Sequence, residues 1–335
     1  MIKFGDTHSE ICRCFCKNLK GKKKYEDEKW QVKNAVDIHL QRSTNSLFGI
    51  GLTGGTDQLR PPSITFLRPG SVAHTSDELR VGERLKLVSN LTHNQMMTLL
   101  RNSGNCVHLQ VEYDINDENF KQPSNTRSAC ADIALMKENN RIGVTLRGGA
   151  YGPDQEKSRP ITIMNIRTGS PAHREKRLRI GDRVLGINGA TVINATLAAV
   201  QKLLFESINT VVLTVEYFIN TFDTVNRKNE YVCVTIERDI NLDIGIEVIC
   251  EVDYTDNAIQ TCFISHLVPA SAADRCGALS PGDQIIAING CKLDYIPSSD
   301  ISRLLQANLS ALYLEIRPAS QIRHYFMIIA NCQLS

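Results

Sequence analysis

Short runs in which apolar and polar residues alternate recur along most of this chain. Successive side chains of an extended strand point to opposite faces, so such runs predict strands with one buried face. Three regions of the chain each begin with such a run: Val36–Leu40, Ala131–Leu135 and Val232–Ile236. A turn with a glycine between two apolar residues follows each run and leads into a second strand. Further strands are predicted at Ser63–Leu67, Ile161–Ile166, Thr261–His266, Arg183–Ile187, Gln284–Ile288, Val107–Tyr113, Val211–Tyr217 and Leu312–Arg317.

Two kinds of helix are predicted between the strands. Small residues indicate short helices at Val72–Ser76, Pro171–Lys176 and Ser271–Cys276. Apolar residues three or four positions apart predict longer amphipathic helices, because that spacing places them on one face. These longer helices are His93–Leu100, Leu197–Phe205 and Ser298–Leu305. Five or six short strands and two helices per region indicate an α+β, mainly β fold: a small, partly open β-barrel capped by two helices.

Internal similarity indicates that the three regions are copies of one unit. Leu109–Asn116 recurs as Leu213–Asn220, and Gly181–Gly189 recurs as Gly282–Gly290. The copies lie about 100 residues apart, far more than the ~20–50 residues of a solenoid repeat, and this spacing predicts tandem independent domains. We refer to the copies as the first, second and third repeat.

Polar joins between the repeats predict the domain boundaries. The predicted segments are a flexible N-terminal arm at 1–30, repeats at 31–115, 129–219 and 230–318, linkers at 116–128 and 220–229, and a C-terminal tail at 319–335. Because both linkers are short, neighbouring repeats cannot drift far apart.

Composition and charge exclude several classes of protein. The 335 residues include 38 Lys and Arg against 36 Asp and Glu, a balance that argues against a protein coating nucleic acid along its length. No apolar run reaches the ~18–20 residues of a membrane-spanning helix, and Met1–Glu10 lacks the apolar segment of a secretory signal. We therefore expect a cytoplasmic protein whose 11 cysteines are mostly reduced. Four of them are expected to be small apolar fillers: Cys233, Cys250, Cys262 and Cys276.

The order of these elements resembles that of the PDZ domain family in all three repeats. It is similar to the first three PDZ domains of the glutamate-receptor-interacting scaffold proteins over roughly residues 35–318. The similarity rests on Lys157–Pro160, Gly181–Val184, Ala273–Ala278 and Val111–Tyr113. A single Phe-Gly-Ile would not indicate the fold. Three apolar–Gly–apolar turns, each followed at a similar distance by Gly-Asp or Gly-Glu, favour the fold.

The resemblance implies a peptide-binding groove between the second strand and the second, longer helix of each repeat. The unpaired edge of that strand would accept an extended peptide as an additional strand. The turn glycine tolerates positive φ and lacks a side chain, so consecutive amides can point at the carboxylate that ends the peptide. The implied carboxylate loops are Phe48, Gly49 and Ile50; Ile142, Gly143 and Val144; and Ile244, Gly245 and Ile246.

The family's register also implies which helix residues line each groove. A histidine at the first position would bond a Ser or Thr hydroxyl two residues before the ligand's end, whereas a leucine favours an apolar residue there. For the Met and Leu positions, core packing is the alternative. The implied residues are His93, Met97 and Leu100; Leu197, Gln201 and Leu204; and Ser298, Ser302 and Leu305. A basic residue before each loop would add charge at the carboxylate, or be a solvated loop cation: Arg42, Lys137 and Arg238.

The repeats differ in how completely they keep this pattern. The first is shorter between Val81 and Gly104 and lacks an Asn-Gly turn, so we expect either its fourth strand or its approach to the helix to be shortened, and a closed or malformed groove. The third has Ile249–Glu251 where the other two have Gly-Gly. The second repeat is therefore predicted to be the principal peptide binder.

Two other features suggest different chemistry. Gly49–Gly54 matches a dinucleotide-binding pattern, but the Pro-Pro that follows cannot open the helix that would hold pyrophosphate. Cys12, Cys14 and Cys16 beside a lysine run could accept palmitate and bring the arm to a membrane; an unmodified tail and adventitious metal binding are the alternatives. No catalytic, metal or cofactor motif occurs, so we expect no enzyme activity, no cofactor and no metal.

The sequence thus predicts a multi-PDZ scaffold that binds C-terminal tails of transmembrane receptors, glutamate-receptor-like by resemblance, and other cytoplasmic scaffold or signalling proteins. It would organise or transport receptor complexes at the cytoplasmic face of the plasma membrane, at synapses or on vesicles. No nucleic-acid partner is expected. Two alternatives remain: a structural assembly whose domains stabilise each other without binding peptide, and a regulatory fragment of a larger enzyme.

Overall fold

A computed structural model describes residues 33–43, 46–86, 88–152, 155–221, 231–237, 243–253, 259–294, 296–306 and 310–320. Several predictions therefore lie outside the described residues. They are the N-terminal arm with Cys12, Cys14 and Cys16, Arg238, residues 222–229 of the second predicted linker, and the predicted tail beyond residue 320.

The first repeat forms a five-stranded antiparallel sheet with two helices. The sheet order is β1-β5-β4-β3-β2. The strands are β1 (Lys33–Gln41), β2 (Ile50–Gly55), β3 (Arg60–Leu67), β4 (Arg84–Leu85) and β5 (Cys106–Asp114). The helices are α1 (Val72–Thr75) and α2 (His93–Arg101).

The second repeat forms a six-stranded sheet in the corresponding order. Its path is β6-β11-β9-β8-β7, and β10 pairs with β9. The strands are β6 (Thr126–Met136), β7 (Val144–Gly149), β8 (Arg159–Ile166), β9 (Arg183–Ile187), β10 (Ala190–Thr191) and β11 (Thr210–Asn220). The helices are α3 (Pro171–Glu175) and α4 (Leu197–Glu206), and 3₁₀ turns occur at Glu118–Phe120 and Gln155–Lys157.

The third repeat follows the same plan. Its path is β12-β17-β15-β14-β13, and β16 pairs with β15. The strands are β12 (Val232–Glu237), β13 (Ile246–Asp253), β14 (Ile259–Leu267), β15 (Gln284–Ile288), β16 (Cys291–Lys292) and β17 (Ala311–Arg317). The helices are α5 (Ala272–Cys276) and α6 (Ser298–Leu305).

These sheets confirm the predicted fold class of three tandem, mainly β units with short helices. Each sheet has five or six antiparallel strands and remains open, so the second strand of every repeat ends its sheet. Of the two alternatives predicted for the first repeat, the shortened fourth strand is found, because β4 has only two residues.

Local sequence explains why these elements form. In β5, alternate residues from Val107 to Tyr113 are buried, as a strand with one core-facing side requires. Helix α2 begins at a capping box, in which the Thr92 side chain accepts from the Gln95 N–H and the Gln95 side chain accepts from the Thr92 N–H. At the corresponding position before α4, the Thr196 side chain accepts from the Ala199 N–H. In α2 and α4 the apolar pattern and the cap therefore fix the helix start together.

The chain divides into two compact units. One runs to Lys121 and also contains Ala134–Glu175 and Arg179–Leu213. The other contains Gln122–Ile133, Lys176–Leu178 and the described residues from Thr214 onward. In the first unit, part of the predicted linker 116–128 is ordered, because Phe120 is buried with its ring 6.3 Å from that of Tyr113.

The prediction of reduced, apolar filler cysteines is wrong in part. Cys250 of β13 and Cys262 of β14 are directly opposite each other and form a disulfide, with Cα atoms 4.1 Å apart. Cys233 is exposed rather than packed in a core, and Cys276 is half-buried. The disulfide arises because antiparallel register, which the sequence spacing alone does not specify, places the two thiols side by side.

Candidate functional site

The strands β2, β7 and β13 each present backbone groups at the open end of a sheet. In the first repeat, the Arg68 N–H donates to the Gly49 carbonyl (2.8 Å), while Ile50 is the register partner of Leu67. That pattern makes Ile50 a non-hydrogen-bonded partner, so its N–H and C=O point away from β3. The same bond occurs in the other repeats, from Arg167 to Gly143 (2.8 Å) and from Val268 to Gly245 (2.9 Å).

The amides that precede these strands differ among the repeats. Among the described residues, no hydrogen-bond acceptor is found for the first two N–H groups of the first and second loops, those of Phe48, Gly49, Ile142 and Gly143. In the third loop, the Gly245 N–H donates to Asp243 Oδ1 at 2.9 Å. The first and second loops therefore offer consecutive donors, whereas the central donor of the third is already engaged.

Each loop requires glycine at its centre. Gly143 has φ +88°, and a Cβ placed there would lie 2.0 Å from Cβ of Ser170. The loop is held against α3 by the bond from the Ala172 N–H to the Ile142 carbonyl at 2.9 Å. Gly49 and Gly245 have the same left-handed backbone and meet Ser71 and Ser271. A side chain at this position would be both strained and crowded, so the loop shape depends on glycine.

The groove side of the first repeat contains a small apolar pocket, and α2 lies against β2. The pocket is lined by Ile50, Leu52, Leu85, Val88, Met96, Leu100 and Leu109. Of the predicted helix residues, Leu100 lines this pocket; the methionine that lines it is Met96, while Met97 is half-buried. The His93 N–H donates to Asp57 Oδ1 at 2.8 Å. Its ring Nδ1 is buried, with no acceptor or donor beside it in the described part of the chain.

The second repeat has a larger cavity beside its central-glycine loop, formed by Ile142, Gly143 and Val144. The whole loop lines it, together with Gln201 and Leu204 of α4. Leu197 is buried at the start of α4, where its N–H lies 2.7 Å from the place a Cβ on Gly149 would occupy. The remaining lining residues are Asp77, Glu78, Lys137, Asn140, Arg141, Leu146 and Phe205.

In the third repeat, the predicted groove residues of helix α6 differ from one another in burial. Leu305 is buried in the core that also contains Ile301, whereas Ser302 is exposed. Ser298 is the first residue of α6. Here the second strand is tied to its neighbour through Cys250 and Cys262.

Of the three basic residues predicted to lie before the loops, Arg42 and Lys137 are described. Both donate to main-chain carbonyls at the end of a helix or in a loop. Arg42 donates to the carbonyls of Gly104 (2.8 Å) and Ser46 (3.3 Å), and its guanidinium lies 4.7 Å from the centre of the Phe48 ring. Lys137 donates to the carbonyls of Phe205 and Ser207, at 3.2 and 2.6 Å, at the C-terminal end of α4. A cation there complements the helix dipole and ties the loop to the helix.

Comparison with known proteins decides the family. A model of the PDZ domain matches residues 37–112, 132–216 and 234–317, one match in each repeat. The chain belongs to the PDZ domain family. The three loops with a central glycine are thus the loops that precede the second strand of three PDZ domains.

Several curated proteins are similar to this chain over most of its length. The chain is 34% identical over 298 residues to glutamate receptor-interacting protein 2 of Xenopus laevis, covering 88% of this chain and 27% of that protein. It is 30% identical over 298 residues to glutamate receptor-interacting protein 1 of Rattus norvegicus, covering 88% and 26%. The chain spans about a quarter of the length of these relatives.

The described residues show neither a membrane-spanning helix nor a metal centre. No helix among them is both long and apolar enough to cross a membrane. Nor do they contain a group of three or more His, Cys, Asp or Glu side chains placed to hold a metal ion.

Sequence reasoning missed two acidic residues at the groove of the second PDZ domain. Asp77 and Glu78 belong to the first repeat, yet both line the cavity beside Gly143. Arg141, next to the loop, pairs with Glu78 at 2.8 Å. Burial, and then repulsion from Arg141, lowers the pKa of the Lys137 ammonium. No local pattern identifies this arrangement, since it brings together residues about 60 positions apart on polar stretches that resemble solvated loops.

Proposed function

We propose that the chain is an adaptor that binds C-terminal segments of other proteins by strand addition at β2 and β7. The observation that supports this most directly is the pair of consecutive N–H groups, without acceptors in the described structure, at Phe48–Gly49 and at Ile142–Gly143. Each pair adjoins a strand whose first amide points to the open edge of its sheet. Such a set of donors suits a terminal carboxylate followed by an extended backbone.

Side chains around each loop would set the preference for the ligand. The pocket of the first repeat has only apolar lining residues, so it suits an apolar last side chain. His93 begins α2 and would bond a Ser or Thr hydroxyl two residues before the end. Leu197 begins α4 and would favour an apolar residue at that place. The third repeat is a weaker candidate because Asp243 already accepts from the Gly245 amide.

We further propose receptors as partners. The relatives are named for their interaction with glutamate receptors. C-terminal tails of transmembrane receptors, glutamate-receptor-like among them, present a free carboxylate on an extended segment, which the groove chemistry suits. The chain would then act at the cytoplasmic face of the plasma membrane, at synapses or on vesicles, where it organises receptors for transport together with other scaffold or signalling proteins. Several grooves on one chain would raise avidity for clustered receptors.

Selective labelling of the full chain tests this function in each repeat. Only four glycines follow an isoleucine, namely Gly51, Gly143, Gly181 and Gly245. A chain with [¹³C′]isoleucine and [¹⁵N]glycine thus gives one amide signal near the groove of every repeat. Titration with a receptor-tail peptide should shift Gly51 and Gly143, with affinity of order micromolar, about −8 kcal/mol. Equal affinity for the peptide with an amidated end would refute the carboxylate mechanism.

A second candidate function is a structural assembly in which the repeats stabilise each other. It is supported by contacts inside the first compact unit. The Gly148 N–H of β7 donates to the Tyr113 hydroxyl of β5 at 3.2 Å, and Arg159 Nε donates to the Ile115 carbonyl at 3.0 Å. The test compares the second repeat alone with the first two repeats together. Equal melting temperatures and unchanged amide shifts would exclude mutual stabilisation.

A further inference from the structure

The carboxylate end of the second groove is lined by residues of two different repeats. Ile142, Gly143 and Val144 form one wall of the cavity, and Asp77 and Glu78 of the first repeat also line it. A ligand that extends β7 would bring its own negative charge to this cavity. By contrast, the pocket of the first repeat has no charged lining residue.

The acidic pair is held firmly in this position. Asp77 is buried and accepts from Arg167 Nε and Nη2, at 2.6 and 3.2 Å. Glu78 Oε1 lies 2.8 Å from Arg141 Nη1. The main-chain carbonyl of Glu78 also accepts from Arg147 Nη2 at 2.7 Å. Three arginines of the second repeat therefore hold two acidic residues of the first.

These contacts leave few cations for a ligand. Lys137 donates to Asn140 Oδ1 and to two carbonyls at the C-terminal end of α4. Arg141 pairs with Glu78, and Arg167 with Asp77. Glu138, which lies two residues before Asn140, pairs with Arg174. Three of the four cations are thus paired with acidic side chains, and the fourth, Lys137, directs its donors to neutral oxygens of the described chain. An entering carboxylate that uses Arg141 has to share it with Glu78.

We propose that Glu78 is an internal competitor for the carboxylate end of the second PDZ groove, so that the first repeat lowers the affinity of the second for free C-terminal acids. This inference rests on the proposed function of that groove. Two negative charges facing one guanidinium repel each other, and because the Glu78 side chain is only 21% exposed, water screens that repulsion less than it would at the open surface. Loss of the Glu78 charge therefore strengthens binding, and only for a ligand that ends in a carboxylate.

The test uses the full chain and the Gly143 amide signal. The probe is an acetylated hexapeptide with a free acid end and with apolar residues at its last and third-last positions. Glu78→Gln should bind it about three- to tenfold more tightly than the wild type does, while the amidated probe gains nothing. The matched control is Glu118→Gln, which removes one negative charge from an exposed side chain paired only with Lys121 in the described structure. It should leave the affinity unchanged.

A second variant separates charge from folding. Glu78→Ala should show the same gain if its melting temperature stays within a few degrees of the wild type. Equal affinity of wild type, Glu78→Gln and Glu78→Ala would overturn the competitor role and leave the proposed function intact. The free-acid probe could also shift the Gly51 amide signal but leave the Gly143 signal unchanged in the wild type and in both variants. That result would refute both the competitor role and peptide binding by the second repeat.

Discussion

Arg147 and Glu83 form a two-point ion pair, Nε to Oε1 at 2.6 Å and Nη2 to Oε2 at 2.8 Å, although their side chains are only 1% and 4% exposed. Arg147 lies on the groove strand β7, and Glu83 follows the Gly turn before β4. The guanidinium also donates to the Leu146 carbonyl and lies 5.5 Å from the centre of the Tyr113 ring. This pair joins the first two repeats inside one compact unit.

We expect loss of either partner of this pair to be costly. Glu83→Ala leaves a buried guanidinium without its counter-charge, and should lower the free energy of unfolding by about 3–5 kcal/mol in chemical denaturation. Glu118→Ala is the matched control, because that side chain is 83% exposed, and should change it by less than about 0.5 kcal/mol. A similar small effect for Glu83→Ala would show that the pair does not hold the repeats together.

The central glycine of the second loop should be irreplaceable. Gly143→Ala places a methyl group 2.0 Å from Cβ of Ser170 on a backbone with positive φ, so the loop has to distort. We expect loss of free-acid peptide binding to this repeat, measured by calorimetry, while the Gly51 signal still reports binding to the first repeat. Gly169→Ala is the control, since Gly169 also has positive φ but no atom lies within 4 Å of the place its Cβ would occupy. Normal binding by Gly143→Ala would contradict the role of the loop.

The first helix residue should decide ligand choice in the second repeat. Leu197→His puts a hydrogen-bonding ring at the start of α4, as His93 does in α2. Peptides with Ser or Thr two residues before the end should gain about fivefold relative to peptides with an apolar residue there, the worth of one hydrogen bond. Fluorescence anisotropy with paired peptides measures this ratio. Lys202→His, on an exposed side of the same helix, should not change it.

Stability at alkaline pH should depend on Tyr217. Burial first, and then the bond from its hydroxyl to Asp274 Oδ2 at 2.6 Å, raise the pKa of Tyr217 from 10.0 to about 12. Because the folded pKa is above the unfolded one, its contribution is fully present below pH 10.0 and is lost as pH rises toward 12. Unfolding of wild type and Tyr217→Phe between these pH values measures the difference. A constant difference across the window would contradict the shift.

Local patterns were enough to predict most of the fold. The alternation at Val107–Tyr113 and the three-to-four spacing at Ser298–Leu305 place strand β5 and helix α6 correctly, since period alone decides which side of an element is buried. The glycine turns could be identified because positive φ is a property of a single residue. The family register counted from His93 selects Met97, whereas Met96, which points about 100° away on the same helix, lines the first pocket.

The sequence by itself determined that three similar units form open sheets, each with a loop before its second strand that only glycine can make. The tertiary structure alone decided what surrounds those loops: Asp77 and Glu78 of the first repeat line the cavity beside the loop of the second. The physical reason is range. Periodicity and backbone preference act within a few residues. The pairing of Glu78 with Arg141, or of Cys250 with Cys262, depends instead on how separate segments pack. The sequence of a polar segment does not distinguish a side chain exposed to water from one buried against a partner.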